Sequence, residues 1–357
     1  MDDSEFVWPL VRALRVQHTT LSRKILEPWY NRYSVRLLPL VAETKPKLSR
    51  VLAVHAVVTA DLSVLSALDD VHVVSTMKSK LLEVTAFEGH FEVVKYLLNR
   101  DSTTIDLSKA MALAATENHL NVLVYLHSRS SGCILASVMD EVAAKGFLSV
   151  VKYLHDHNLS TCSTQAMDKA AMNGHLEIVY FLHQNRHEGC TQAAQDGAAG
   201  NGHLDVVKFL HQMRSEGCSP RAMEDAAANG HLEVVKFLHC HRSEGCRQYA
   251  AIDRAAADGH LAVIKFLHRE RGMSCSSRAL FGDNLEVLQF LHENVCVSRT
   301  VCYQLYAFDA CERTREPQLL RAMYDIRSIS KSSPADCKSC QLYESLYGIV
   351  PTLFHIS

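Results

Sequence analysis

Apolar and polar positions follow one another along the middle of the chain in a pattern that predicts pairs of short helices. In "HLEIVYFLH", residues 175–183, apolar side chains nearly surround the predicted helix, and Glu177 and Tyr180 are the exceptions. A helix with so little polar surface must be covered on both flanks by neighbouring elements. The pattern therefore predicts a helix that packs between copies of itself.

Another helix precedes this one within the same stretch. "QAMDKAA", residues 165–171, contains good helix formers, and Ser163 or Thr164 can cap its N-terminus. Asn173 and Gly174 end it, because glycine accepts the left-handed conformation that a tight turn requires. Each copy is thus predicted to contain a first helix, a turn and a second helix.

The helix pair recurs at a fixed period. As a marker we take the residue after the turn glycine; successive markers are 28 or 29 residues apart, until a last gap of 24. A degenerate copy lies before the eight clear copies, at Asp61, and another lies after them, at 316–326. Two helices in ~28 residues predict an all-α fold, an α-solenoid of stacked helix–turn–helix repeats with irregular helical ends. The eight markers are His90, His119, Phe147, His175, His203, His231, His260 and Asn284.

The best preserved copies resemble the ankyrin repeat. They read "AAMNGHLEIVYFLH", "AAGNGHLDVVKFLH", "AAANGHLEVVKFLH" and "AAADGHLAVIKFLH", and they follow that family's A-A-x-x-G-H-x-x-V-V-x-x-L core. The resemblance implies stacked helical repeats that bind a protein. The period is shorter than the ~33 residues of the family, and the T-P-L-H opening is replaced by versions of C-[ST]-x-x-A-M-[DE]. Because the missing residues fall where the family has a β-hairpin finger, we expect stubby fingers or plain loops.

The repeats divide the chain into four predicted regions. Residues 1–47 do not follow the period and are predicted to form an N-terminal helical capping region. Residues 48–293 form the ankyrin-like array of about eight to nine repeats. Residues 294–326 are predicted to be a degenerate C-terminal capping repeat, and 327–357 a tail that opens with a serine-rich link.

Composition and charge narrow the class of partner. A net charge of −2 gives no electrostatic basis for binding nucleic acid or an anionic membrane, and neither is expected as a partner. No apolar run approaches the roughly 18 residues of a membrane span, and the N-terminus lacks the layout of a signal peptide. We therefore expect an intracellular monomer in the cytoplasm, with nuclear presence left open, whose twelve cysteines are thiols.

Three residue types recur in register and are explained by structure. One cysteine per repeat cannot place four ligands around a zinc ion at about 2.3 Å, so each cysteine is expected to pack as a small apolar group. Turn histidines are expected to hydrogen-bond neighbouring backbone. The first-helix acids occupy the slot of the family's T-P-L-H histidine, and the resemblance implies an inter-repeat hydrogen bond there. The cysteines are Cys133, Cys162, Cys190, Cys218, Cys246 and Cys275, and the acids are Asp140, Asp168, Asp196, Glu224 and Asp253.

The candidate partner-binding residues lie in the connections between repeats and on the first helices. An arginine recurs in the connections, where aligned loops form an exposed row and where arginine favours interfaces; a solvated charge row is the alternative. Some first-helix positions change between copies while their neighbours do not, so the scaffold permits a specific surface there. The candidates are Arg186, Arg214, Arg242 and Arg271 in the connections, and Gln165, Lys169, Arg221, Asp225 and Arg254 on the first helices.

These observations predict a non-catalytic scaffold or adaptor that binds a protein partner. The chain has no phosphate-binding, dinucleotide-binding, zinc-protease or nucleophile-elbow motif. We therefore assign no catalytic, cofactor-binding or metal residue, and we expect neither an enzyme nor a cofactor. Two alternatives remain open. A substrate-receptor subunit could recruit a target to an enzyme through the non-repeat ends, or a metal- or redox-responsive protein could use the C-terminal cysteines Cys296, Cys302, Cys311, Cys337 and Cys340.

Overall fold

The computed structural model describes most of the predicted repeat array. The described residues are Leu38, Leu40 and 44–294 without 70–71, 100–104, 131–133, 135–136, 248, 277, 280–283 and 292–293. Within these residues the chain forms helices, turns and loops and no strand. The predicted copy at 316–326, the tail at 327–357 and most of the region 1–47 lie outside the described residues, so the division into four regions stays a prediction.

Except for α17, the described helices come in pairs that are joined by tight turns. The first helices of the pairs are α1 (Pro46–Val58), α3 (Val73–Glu88), α5 (Ser108–Thr116), α7 (Ser137–Lys145), α9 (Thr164–Met172), α11 (Gln192–Gly200), α13 (Pro220–Ala228) and α15 (Ala250–Ala257). The second helices are α2 (Leu62–Asp69), α4 (Phe91–Asn99), α6 (Leu120–Ser128), α8 (Leu148–Asp156), α10 (Leu176–Asn185), α12 (Leu204–Met213), α14 (Leu232–His241), α16 (Leu261–Arg271) and α17 (Leu285–Phe290).

The chain divides into two compact halves, an N-terminal half, Met1–Ala166, and a C-terminal half, Met167–Ser357, with the division inside α9. In the N-terminal half the first helices α1, α3, α5 and α7 pack in succession. In the C-terminal half α11, α13 and α15 do the same, and α10, α12, α14, α16 and α17 form a second row. The prediction of an all-α fold of stacked helical repeats is confirmed.

The two rows of helices pack differently because their side chains differ in size. First helices contact each other more extensively than second helices do. Apart from Gln195, the buried positions of α11 are small, and Ala194, Ala198 and Ala199 are fully buried between their neighbours. Second helices bury larger side chains, such as Val207 and Leu210 in α12. Alanine lets two backbones approach closely, whereas valine and leucine keep them apart while filling the core.

The markers identified from the sequence lie at the start of the second helices. From α4 onwards each described second helix begins at the residue that follows its marker, and the degenerate copy at Asp61 likewise precedes α2. The turn glycine before each marker is left-handed, with φ of 80° at Gly202. Asn118 has φ of 64° in the copy that lacks this glycine, as asparagine tolerates the left-handed region better than most residues do.

The connections between repeats are short and contain no strand in the described residues, as the short period predicts. After α10, α12 and α14 the backbone becomes extended at Arg186, Arg214 and Arg242. None of the described helices combines the length and the apolar character that crossing a membrane requires.

Candidate interaction surface

The first-helix acids join each repeat to the next one. Asp168 accepts hydrogen bonds from the backbone N–H (2.7 Å) and the hydroxyl (2.8 Å) of Thr191. The Thr191 hydroxyl oxygen in turn accepts from the N–H of Ala193 (3.1 Å) and caps α11. The predicted inter-repeat hydrogen bond is confirmed, and it also supplies the N-cap of the following first helix. Asp140 with Ser163, Asp196 with Ser219 and Asp253 with Ser276 repeat the arrangement.

At one of these contacts between repeats, an ion pair takes the place of the hydrogen bond to a serine or threonine hydroxyl. Glu224 accepts from the backbone N–H of Arg247 (3.0 Å) and from its guanidinium at Nε (2.9 Å) and Nη2 (2.7 Å). Burial opposes ionisation of Glu224, yet the hydrogen bonds from Arg247 outweigh it and lower the pKa of this carboxyl. Burial raises the pKa of Asp196, and the bonds from Ser219 offset this only in part.

The turn histidines form a second set of ties. In the N-terminal half His119 Nε2 donates to the carbonyl oxygen of Phe87 in the preceding repeat (3.1 Å). In the C-terminal half the His231 ring lies against Gly202, where an added Cβ would be 2.5 Å from Nδ1. Burial first, and then the neighbouring turn histidines, lower the pKa of His231. The turn glycine is therefore required twice, for its left-handed φ and for the space that the next histidine fills.

The connection arginines form a third set of interactions between neighbouring repeats. The guanidinium of Arg214 pairs with Glu216 and interacts with the thiol of Cys190 in the preceding repeat. A Cβ on Gly189 would be 2.5 Å from Nη2 of this arginine. The Arg214 side chain is 24% exposed, and burial raises the pKa of the Cys190 thiol to about 11.

The other three candidate arginines have comparable surroundings. Arg186 pairs with Glu188, and Arg242 pairs with Glu244. Arg271 donates through Nε to His239 Nδ1 (2.8 Å). All four arginines are thus half-buried and engaged with neighbouring side chains of the scaffold.

The first-helix candidates are more open. Gln165 and Lys169 are exposed on α9, and Arg221 is exposed on α13. Arg254 on α15 is exposed and pairs with the half-buried Asp225 of α13. The structure therefore brings Asp225 and Arg254 together directly and places the connection arginines in separate ties.

Several residues of this surface were not predicted from the sequence. Asn201 Nδ2 donates to the Met172 carbonyl oxygen (2.8 Å), and Asn229 Nδ2 donates to that of Gly200 (2.6 Å), so the turn asparagines also join repeats. The repetition of "NG" was a signal for this role, but it is equally explained by the turn alone. Met172 at the end of α9 and Tyr249 just before α15 are exposed large apolar side chains, at 39% and 37%, and Tyr180 and Met213 are exposed on second helices.

The family model described as ankyrin repeats (many copies) matches residues 223–268, which contain most of α13 and all of α14 and α15. Residues 223–268 are therefore similar to ankyrin repeats. No curated protein matches this chain significantly. Among solved structures 94 chains match, and one is the human ASB11 ankyrin repeat domain, with 17% identity, a TM-score of 0.42, and coverage of 52% of this chain and 96% of that one.

Ankyrin repeats generally mediate protein–protein interaction and are typically non-enzymatic modules. The described residues contain no group of three or more histidine, cysteine, aspartate or glutamate side chains arranged to hold a metal ion. Cys190 and Cys218 are buried, which fits their predicted packing role. Cys133 and the five C-terminal cysteines of the metal or redox alternative lie outside the described residues.

Proposed function

We propose that this chain is a non-catalytic scaffold or adaptor that binds a protein partner through its first helices. The observation that carries the proposal is the contrast between two sets of side chains in the C-terminal half. Acids, turn histidines, turn asparagines and connection arginines join repeats to one another, as described above. The positions that vary between copies are mostly exposed instead: Lys169, Arg221 and Arg254 are exposed, although Arg254 also pairs with the half-buried Asp225.

The proposed binding surface, called the first-helix face below, belongs to the C-terminal half. Its composition fits recognition, because methionine, tyrosine and arginine are enriched at protein interfaces. Helix α11 contributes only Ala193 and Gly197 to it, so no large side chain projects from α11 at these positions. The residues of the first-helix face are Lys169, Met172, Ala193, Gly197, Arg221, Asp225, Tyr249, Arg254 and Arg278.

The ties between repeats support binding indirectly. Binding costs less when the interface residues are already ordered, since fewer side chains and loops lose freedom on association. The acid, histidine and arginine ties hold consecutive first helices in register before a partner arrives. In this proposal Arg186, Arg214, Arg242 and Arg271 contribute by holding the connections beside the face, with at most their exposed edges in contact with the partner.

The proposal includes a monomer in the cytoplasm. The described cysteines Cys162, Cys190, Cys218, Cys240, Cys246 and Cys275 are free thiols. Free thiols are the common state in a reducing compartment. Sedimentation of the purified chain and fractionation of native cells would test these two parts separately from partner binding.

A steric block tests the location of the surface without changing charge. Ala193→Trp adds bulk to the first-helix face, and Ala262→Trp adds the same bulk at an exposed position of α16. Each protein is used for affinity capture from native extract with mass spectrometry, after thermal melts show that both variants fold. We expect a partner that the unsubstituted chain and Ala262→Trp capture and that Ala193→Trp does not. A partner retained by Ala193→Trp and lost from Ala262→Trp would place binding on the second helices and contradict the proposal.

A further inference from the structure

The first-helix face carries positive charge that the scaffold does not use. Lys169, Arg221 and Arg278 are exposed, and none of their side chains forms an ion pair or hydrogen bond with a described residue. Arg221 influences the half-buried Asp196 only through longer-range electrostatics. Arg221 and Arg278 also occupy the same register, since each backbone N–H donates to the capping serine hydroxyl two residues earlier (3.2 Å in both).

Some cations on the first helices of the N-terminal half pair with acids, whereas Lys109 on α5 is exposed without an ion pair to any described residue. Lys145 on α7 pairs with both Glu117 and Glu141 (3.1 and 3.2 Å). Lys80 on α3 pairs with Glu83 (3.2 Å).

Acids near the first-helix face are mostly neutralised within the scaffold. Asp225 pairs with Arg254, and the Glu224 carboxylate, buried to 1% exposure, pairs with Arg247. The Arg247 side chain remains 72% exposed despite this pair, so part of its guanidinium faces solvent. Asp258 is the remaining exposed acid at the end of α15. The carboxylates of Asp168, Asp196 and Asp253 are buried or half-buried against the capping hydroxyls. The exposed charged side chains of this face are therefore mostly cations.

Apolar groups accompany the cations. The Met172 side chain lies over Gly197, where an added Cβ would be 2.9 Å from Met172 Cβ, and it is still partly exposed. Tyr249 is exposed just before α15. A ligand that lies across α9 to α15 would therefore meet positive charge and two partly exposed apolar side chains.

We propose that the first-helix face binds an acidic segment of a protein partner that also carries apolar side chains. This inference rests on the proposed function and names the chemistry of its partner. Carboxylates of the segment would neutralise Lys169, Arg221 and Arg278, and its apolar side chains would pack on Met172 and Tyr249. A protein segment fits better than a nucleic acid, because the cations are few and one aromatic side chain provides no row for stacking bases.

A direct binding assay tests this chemistry. The probe is a fluorescein-labelled peptide of glutamate with interspersed phenylalanine, and anisotropy is measured against the full chain at low and at high salt. The triple variant with Lys169→Glu, Arg221→Glu and Arg278→Glu reverses the charge of three cations on the first-helix face. A control triple, Lys208→Glu with Lys236→Glu and Arg269→Glu, makes the same change in net charge on the second helices α12, α14 and α16.

The expected result is saturable binding that salt weakens, with an affinity reduced about tenfold or more by the face triple. The control triple should keep the affinity of the unsubstituted chain, and thermal melts should show that all three proteins fold. Equal affinities of the two triples, or no saturable binding of the peptide, would overturn the inference. Tighter binding of a labelled single-stranded DNA than of the peptide would also overturn it.

The outcome is separable from that of the proposed function. If Ala193→Trp loses a captured partner while the acidic peptide does not bind, the first-helix face is an interaction surface for a partner of other chemistry. If Ala193→Trp keeps every partner, the proposed function fails, whatever the peptide does.

Discussion

The substitution Gln195→Met is expected to stabilise the protein. Gln195 is buried at 2% exposure in α11, and its amide Nε2 has no hydrogen-bond partner among the described residues. The corresponding positions of the neighbouring repeats hold Met167 and Met223, each also at 2% exposure. Glutamine therefore occupies a core position that this scaffold otherwise fills with an apolar side chain.

The magnitude follows from the unsatisfied amide. Burying a donor without a partner costs ~1–3 kcal/mol, and replacing it by an apolar group of similar shape removes that cost. Methionine is unbranched and close to glutamine in size, so the substitution leaves little cavity and introduces little strain. We expect the free energy of unfolding to rise by about 1–2 kcal/mol, part of the full penalty, because repacking is never perfect.

Urea unfolding followed by far-UV circular dichroism measures the effect. With a slope of ~2 kcal/mol per molar urea, the midpoint should rise by about 0.5–1 M at an unchanged slope. The reciprocal substitution Met223→Gln should lower the midpoint by a similar amount. If Gln195→Met lowers the midpoint or leaves it unchanged, the amide of Gln195 is satisfied in the folded protein and the reasoning is wrong.

The remaining predictions concern the ties between repeats. Gly202→Ala places a methyl group 2.5 Å from His231 Nδ1 at a φ of 80°, and should lower the free energy of unfolding by ~1–3 kcal/mol in urea titrations; an unchanged midpoint would contradict the close approach. The pKa of His231 is lowered from its ordinary value of 6.5, so the unfolded chain takes up the proton first and stability falls as pH drops through that value. His231→Asn, which copies Asn284 in the last described repeat, should make stability less dependent on pH, and an identical pH profile would count against this assignment. Glu224→Asp or Arg247→Ser alone should each cost ~1–3 kcal/mol, whereas the pair recreates the Asp–Ser tie and recovers most of the loss; additive effects in this double-mutant cycle would refute the coupling.

The repeat pattern made the fold predictable because each repeat obeys the same packing rule. The apolar run of "HLEIVYFLH" requires cover on both flanks, and the turn at Asn173–Gly174 separates two helices. These features predicted where the second helices begin to within one residue, since α10 begins at Leu176 immediately after its marker, but α10 continues to Asn185, two residues beyond the predicted run. The inter-repeat hydrogen bond of Asp168 was also predictable, because Asp168 occupies the position of the T-P-L-H histidine in the family that the repeats resemble.

The roles of the connection arginines were not predictable in the same way. From the sequence, Arg214 and Glu216 are predicted to belong to an exposed row of charged side chains. In space the guanidinium reaches back to Gly189 and Cys190 of the preceding repeat, more than 20 residues away in sequence. A residue that recurs in register can face solvent or the neighbouring repeat, and the period is the same in both cases.

Sequence alone determined the class of fold, the period and the ends of the helices, because these depend on local propensity and on a hydrophobic pattern that any stack must satisfy. Only the tertiary structure decided which polar residues join repeats and which remain available to a partner. Arg214 is engaged with Glu216, whereas Arg221, seven residues on, is exposed without an ion pair to any described residue. The physical reason is that burial and pairing depend on what the preceding and following repeats place beside each side chain, and this is a property of the stack, not of the repeat.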